Sequence, residues 1–391
     1  MTDPLRDPLF FGDPYSTYDR LRSASPVQKI PTGSGGHYSY LVTGHAEARQ
    51  AFTDPRLSKD TARFFAGQRS RRDLHPALSR NLLASDPPEH TRQRSVAGRL
   101  FTAGPVSKLR PYISEVVEGL LAGWESGTRV DLVQGLAGPL PVTVICELLG
   151  VPEADRQQVS QWSNDLFAAG EPERIDAASH AIGAYMGELV RKAYEEPTGG
   201  LLNTLAEHGE DGRLHEEEVV SLAALLLVAG HETTTNLIAN SVLALIQHPS
   251  SLARLKQEPD LIAGSLDELL RFDSPVGIAT FRFSTQELQL GGTLIPAGSP
   301  VLIAPGAANR DPAAFVEPQQ LDLGRRASGH LAFGHGIHRC LGAPLARAEA
   351  EIALRAVLTR FPDIRLAVPS EDLEWRRTRL MRGLKSLPVL L

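Results

Sequence analysis

Five stretches of the chain place apolar residues three and four apart and predict helices: Pro111 to Trp124, Leu140 to Leu149, His180 to Tyr194, Glu216 to His248 and Ala343 to Phe361. A shorter helical pattern follows Gly44 through Phe52. Asp86-Pro87-Pro88-Glu89 reads as another helix start, with Asp86 as cap and prolines in the first turn. Runs of β character flank this helical middle. Val27-Gln28-Lys29-Ile30, a glycine turn from Gly33 to Gly36, and Tyr38 to Val42 read as strand, turn and strand. A second β-like region spans Arg282 to Ala304, with turns at Gly291-Gly292 and Pro296-Ala297-Gly298. If these two regions pair, the chain closes on itself. The expectation is one mostly α domain over residues 1–391 with a small β-rich region, in place of the two or three domains that ~150 residues per domain would suggest.

Composition narrows the class. With 42% apolar and 22% charged residues the chain is globular rather than disordered. Its 40 basic residues against 46 acidic ones give a net charge of −6, which argues against nucleic acid as the main partner. Two cysteines, Cys146 and Cys340, cannot build a disulfide framework. The N-terminal residues show no basic start followed by an apolar stretch. The apolar run Leu222 to Gly230 is about half of the ~18–20 residues a membrane span needs, and His231-Glu232 ends it. A soluble, cytoplasmic protein without a membrane partner is expected.

The most informative segment is Phe333-Gly334-His335-Gly336-Ile337-His338-Arg339-Cys340-Leu341-Gly342. Glycines permit tight turns, and a cysteine just before a helix N-terminus has its thiolate favoured by free N–H groups and the helix dipole. The residues alone leave three readings open: a buried turn cysteine, a zinc site drawing on His330, His335, His338 and Cys340, or a single thiolate completing the coordination of haem iron.

The segment resembles the haem-binding loop of the cytochrome P450 family, Phe-Gly-x-Gly-x-His/Arg-x-Cys-x-Gly, at every fixed position from Phe333 to Gly342. Other family motifs follow in order, each weak alone, and the resemblance runs from about residue 10 to the C-terminus. Asp86 to Arg94 is similar to the helix whose His90 and Arg94 would grip the haem propionates. Arg282 resembles the strand arginine that does the same, and His338 holds the corresponding position beside the cysteine. Glu268-Leu269-Leu270-Arg271 resembles the Glu-x-x-Arg pair, an ordinary surface pair when read alone. Phe315 to Arg325 resembles the loop that supplies its third member, Arg325, and the three are expected to be structural. Ala229-Gly230-His231-Glu232-Thr233 is similar to the oxygen-binding groove, with Glu232 and Thr233 as the acid–alcohol pair. By its composition this stretch is expected to loosen the helix locally.

The resemblance implies the mostly α cytochrome P450 fold and a haem b monooxygenase with Cys340 as the iron ligand. That ligand favours O–O cleavage, while Glu232 and Thr233 manage protons. Electrons would come from NAD(P)H through a separate ferredoxin and ferredoxin reductase. Arg92, Arg99, Lys108, Arg339 and Arg347 are candidates for the docking face. Asp54 to Asp60 and Phe272 to Val276 resemble the actinobacterial branch of macrolide and polyketide hydroxylases. Family position nominates Phe64, Phe65, Leu82, Leu83, Phe167, Leu226, Ala229, Val276, Ile278, Ala279, Leu380 and Met381 as the substrate pocket, a set suited to a large apolar ligand. A polyketide substrate for hydroxylation or epoxidation by a monomeric enzyme is expected. A steroid-like substrate and a non-catalytic haem-thiolate sensor are the alternatives.

Overall fold

A computed structural model describes residues 3–32, 37–66, 72–167, 171–196, 200–210 and 214–391. The expected glycine turn Gly33 to Gly36 lies outside the described residues. Close contacts divide the chain into two compact units, residues 1–58, 117–137 and 233–391 in the first and residues 59–116 and 138–232 in the second.

The first unit carries the strands: β1 Val27–Pro31, β2 Tyr38–Val42, β3 Leu57–Ser58, β4 Arg129–Asp131, β5 Arg282–Ser284, β6 Leu288–Leu290, β7 Thr293–Ile295, β8 Pro300–Ile303, β9 Arg365–Leu366 and β10 Pro388–Leu390. The largest sheet has the order β1-β2-β8-β5-β3. Its β2–β8 pair is parallel, with Tyr40 opposite Val301 and Val42 opposite Ile303, so the two β regions read from the sequence meet here. One face of this sheet buries Val27, Tyr40, Val42, Val301 and Ile303 against Ala48, Ala51 and Phe52 of helix His45–Thr53. The opposite face buries Ile30, Leu41 and Leu302 against Phe10, Tyr18 and Leu21. Alternating side chains thus supply two cores, as the period of two in a strand requires. Helix Leu261–Phe272 packs on helix Ala343–Arg360 in the same unit.

The second unit contains helices and no strand among its described residues. Helix Pro172–Glu195 lies on Glu153–Asp165 and on Leu201–Glu210. Helix Glu216–Gln247 contributes to both units, the division falling between Glu232 and Thr233. It is long and apolar enough to cross a bilayer, yet 72% of its most apolar window is buried inside the protein. It is a core helix.

Three expectations about helices need correction. The helix expected from Pro111 begins at Ala103 and ends at Leu121, with Pro111 inside it. Val106, Ile113, Val117 and Leu121 form one buried stripe. Their packing outweighs the backbone hydrogen bond that proline removes. Asp86 does not cap helix Glu89–Leu100, which has Pro88 at the cap position. Its Oδ1 instead accepts the Lys59 N–H at 3.0 Å. Finally, Gly230 to Thr235 stay within one continuous α-helix. The π turn that the described residues contain is at Val133–Ala137.

Candidate functional site

In the first unit the cysteine loop is built by its glycines. Gly334 and Gly336 have φ of +69° and +73°, a region L side chains rarely adopt. A Cβ on Gly336 would also lie 3.0 Å from Phe52 O. The Cys340 N–H donates to Phe333 O at 2.8 Å and closes the loop. Helix Ala343–Arg360 starts three residues beyond the cysteine, with Gly342 at its cap. The two cysteines then differ sharply. Cys146 is buried, and burial pushes its thiol up to about 11. Cys340 is exposed at the helix N-terminus, where the backbone dipole favours thiolate.

Histidines beside the loop do not assemble a zinc site. Among the described residues no three His, Cys, Asp or Glu side chains converge as a metal would need. His330 accepts the Ala332 N–H at Nδ1 (3.1 Å), so its Nε2 carries the proton donated to Asp267 Oδ1 at 3.2 Å. His335 is held below the usual histidine range by burial and then by Arg49. The zinc reading is set aside.

Behind the loop, Arg271 is fully buried and uses all five guanidinium N–H groups. Nε and Nη2 donate to the Glu268 carboxylate at 2.7 and 2.8 Å, Nη1 to Asn309 O and Pro318 O, and Nη2 again to Gln320 O. Glu268 further accepts from Asp322 N at 3.0 Å and Arg325 Nε at 3.2 Å. Arg325 reaches on to Val316 O and Glu317 O. A buried pair is favourable only when its remaining hydrogen bonds are also made, and here they are.

Arg282 is buried on β5, its Nη1 donating to Thr280 O and its Cζ lying 4.9 Å from the Phe52 ring centroid. His338 ends the short 3-10 turn Gly336–His338. In the second unit His90 is buried on helix Glu89–Leu100, and burial, then Arg94, then Lys59 hold it below the usual histidine range. Lys59, itself buried, is a residue that motif reasoning missed. It stands in no periodic pattern, and the Asp86 contact that anchors its backbone is 27 residues away.

On helix Glu216–Gln247, Ala229 is exposed and Gly230 and Thr233 are half-buried although most of their neighbours are buried. Residues 229 and 233 share a face, so one turn of this core helix is open. Gly230 is close against Ile145, where a Cβ would come within 3.3 Å. Glu232 is buried with its Oε1 3.8 Å from His231 Nε2, and His231 Nδ1 lies 3.2 Å from Ser163 Oγ.

The docking candidates divide. Arg92 is committed to Glu218 by two bonds of 2.7 and 2.5 Å, which bring that carboxyl down to about 2. Arg347 is bonded to Asp267 and lies 4.9 Å from the Phe333 ring, so it braces the loop. Both leave the docking set. Arg99, Lys108 and Arg339 are exposed. Among the pocket candidates, Ile278 is a core residue packed with Tyr18, Leu41 and Leu302, and it too is withdrawn. Ala279 packs against the other core. Val276 and Met381 form a β-bridge beside exposed Leu380. Leu82 and Leu226 are buried, Leu83 and Phe167 half-buried, and Phe64 meets Phe65 edge-on at 4.8 Å.

One exposed thiol at a helix start, with no competing metal-ligand cluster among the described residues, suits a cofactor that brings its other ligands itself. In the first unit the buried guanidinium of Arg282 is a group of the kind that pairs with a carboxylate; in the second, Arg94 and Lys59 act electrostatically on buried His90. A cytochrome P450 family model matches residues 191–374. The chain is 44% identical to the cytochrome P450 monooxygenase PikC of Streptomyces venezuelae, across 97% of this chain and 91% of that protein. It is 43% identical to a vitamin D(3) 25-hydroxylase of Pseudonocardia autotrophica, across 97% and 94%. The tirandamycin C-bound P450 monooxygenase TamI superposes with a TM-score of 0.91 at 43% identity, covering 98% of this chain and 99% of that one. The chain belongs to the cytochrome P450 family. It is a haem b monooxygenase supplied with electrons from NAD(P)H through redox partners.

Proposed function

We propose that residues 1–391 act as a single, monomeric haem domain in the cytoplasm that inserts one oxygen atom of O₂ into a large apolar polyketide- or macrolide-type metabolite. The observation that carries this reading is the exposed Cys340 thiol, set by Gly334 and Gly336 at the start of helix Ala343–Arg360. The relation to PikC and TamI supports the substrate class. Cys340 is the iron ligand, flanked by Phe333 and Gly342. His90, Arg94, Arg282 and His338 would hold the propionates, and Ala229 with Gly230 would supply the open helix face to the bound cofactor. Haem supplies the oxygen-activating redox chemistry when bound. Thr233 fixes the water that delivers a proton, and buried Glu232 relays protons toward it. Phe64, Phe65, Leu82, Leu83, Phe167, Leu226, Val276, Ala279, Leu380 and Met381 line the substrate side. Arg99, Lys108 and Arg339 meet an acidic ferredoxin, itself reduced by its reductase.

The reduced, carbon monoxide-treated protein tests the ligand. Cys340→Ser abolishes the strongly red-shifted carbonyl band and Cys146→Ala keeps it; the reverse result overturns the assignment. Thr233→Ala retains haem and substrate binding but diverts most NAD(P)H consumption to hydrogen peroxide. Full coupling of product to NAD(P)H in that variant would make the threonine structural. A haem spin-state shift with macrolactones, and none with sterols, is the expected substrate response.

A further inference from the structure

Two adjacent carboxylates on helix Leu261–Phe272 serve separate networks within the first unit. Consecutive helix positions point about 100° apart, so Asp267 and Glu268 meet different neighbours. Glu268 closes the block around Arg271 and Arg325. Asp267 turns to the chain on either side of the cysteine loop. Its Oδ1 accepts the His330 Nε2–H at 3.2 Å and also a bond from Arg347 Nη1. His330 precedes the loop, and Arg347 follows it on helix Ala343–Arg360. One carboxylate oxygen therefore joins the segment entering the loop to the helix leaving it. Bonding to His330 first, and to Arg347 as well, brings Asp267 down to about 2 against the opposing effect of burial, so it is a carboxylate at neutral pH.

Both partners of Asp267 meet the same aromatic ring. The Arg347 guanidinium carbon lies 4.9 Å from the Phe333 ring centroid, and the His330 ring centroid lies 5.8 Å from it with the planes inclined at 52°. A guanidinium beside an aromatic face is attracted by the ring quadrupole. Phe333 is also the residue whose carbonyl accepts the Cys340 N–H at 2.8 Å. Backbone donors fasten the residues around it, Leu331 N–H to Asn309 Oδ1 at 2.6 Å and Gly334 N–H to Leu331 O at 2.8 Å. The Phe333 side chain is gripped instead by His330 and Arg347. The Arg347 side chain is 31% exposed, and a long side chain at the surface loses rotamer freedom when it stays in one place. Its bond to Asp267 offsets that loss and keeps the guanidinium on the ring.

We propose that Asp267 is a positioning residue for the iron ligand: by ordering His330 and Arg347 on the Phe333 ring it fixes the carbonyl that receives the Cys340 N–H. This rests on Cys340 as the ligand, and the test separates the two. The haem-loaded protein is followed by amide hydrogen exchange and, reduced under carbon monoxide, by the lifetime of the red-shifted band on mild warming. In Asp267→Ala the Cys340 amide exchanges about tenfold faster, and the band decays to the ordinary haem position faster by a similar factor. The Asp322 amide, bonded to Glu268, keeps its protection. Asp267→Glu restores part of both, and Asp267→Asn, which retains an acceptor oxygen without the charge, falls between parent and Asp267→Ala and serves if the latter fails to fold. In a Phe333→Leu background Asp267→Ala changes either rate less than about twofold, because the ring through which it acts is gone. A parent protein without the red-shifted band removes the ligand assignment and this proposal with it. A parent with the band, and Asp267 variants that match it in both rates, overturn the proposal alone. Equal acceleration at Cys340 and Asp322 does so too, since the helix would then have loosened as a whole, as does a full effect of Asp267→Ala in the Phe333→Leu background.

Discussion

Two arginines hold two segments of this molecule in opposite styles. Arg271, fully buried, spends five donors on Glu268, Asn309, Pro318 and Gln320 and ties the residues behind the cysteine loop into one block. Arg72, in the second unit, makes a part-exposed pair with Asp176 of helix Pro172–Glu195. Around it the strap of residues 72–79 is fastened by a handful of bonds. The Asp73 N–H donates to Asp176 Oδ2 at 3.1 Å and the His75 N–H to Ser179 Oγ at 2.8 Å, while His180 Nε2 meets Asp73 O at 2.9 Å. A block of interlocked buried bonds opens only with the whole unit, whereas a strap of part-exposed bonds opens at low cost. The first style suits a ligand atom whose position must not vary. The second suits a segment lying in sequence between the candidate substrate contacts Phe65 and Leu82.

The largest test of this contrast is Glu268→Ala. It leaves Arg271 charged and buried with its carboxylate gone, and loss of one partner of a buried pair typically costs about 3–5 kcal/mol. That is a large part of the stability of an ordinary domain. Urea denaturation should show a loss of this size, or the protein should fail to accumulate folded. A loss under about 1 kcal/mol would put Glu268 and Arg271 in the same class as the surface pairs.

Glu349 sharpens the point that burial alone is not what makes the Glu268 block firm. It sits 1% exposed on helix Ala343–Arg360, Oε2 has no hydrogen-bond partner, and burial pushes its carboxyl up to about 8. Its folded-state affinity for the proton exceeds the unfolded value near 4.5. Its contribution is therefore complete below about pH 4.5 and is lost as pH rises toward 8. The slope is about 1.4 kcal/mol per pH unit at most. Glu349→Gln should flatten stability against pH over that window and stabilise the protein at pH 8. An unchanged slope would mean that the carboxyl is ionised in the fold.

What could be read from the sequence follows a physical line. Helices with a continuous apolar stripe were legible, as were the strand pairs bounded by glycine turns, because each is written in neighbouring residues. The meeting of β2 with β8 followed from β character near both ends of the chain. The thiol's role was legible only through the resemblance of Phe333 to Gly342 to a known haem-binding loop, since the residues alone left three readings open. What stayed hidden depends on partners distant in sequence. Glu218 takes up Arg92 from 126 residues away, and Asp267 takes up Arg347 from 80, so both arginines looked free in the sequence. The Lys59–Asp86 contact and the Tyr15–Asp273 bond are of the same kind. Pro111 misled because local propensity marks a helix start, whereas the buried stripe from Val106 to Leu121 decides the matter.

Gly183 offers the smallest and most local break. A Cβ there would stand 2.2 Å from His75 Nδ1 and 2.3 Å from its Cγ, so the imidazole must leave its place. That ring accepts the Ala77 N–H at 3.1 Å, capping the turn Pro76–Ser79, and meets His180 edge-on at 5.6 Å. Gly183→Ala gains about 1 kcal/mol of helix propensity within Pro172–Glu195. Against this stands overpacking of about 1–3 kcal/mol, which falls on the strap. Global stability should thus move little, while amide hydrogen exchange at Asp73, His75 and Ala77 accelerates. Acidification should act in the same direction. Burial and then His180 hold His75 below the usual histidine range, so the neutral ring belongs to the fastened strap. Stability lent by a base with a lowered folded value is complete above the unfolded value of 6.5 and is lost as pH falls below it through the folded value. Exchange at the three strap amides should therefore quicken as pH falls through that value, after correction for intrinsic rates, and more steeply in the parent than in Gly183→Ala. The Asp322 amide, bonded to Glu268, is the internal control. If its protection fell together with that of the strap, the two regions would open as one, and the contrast between block and strap would fail.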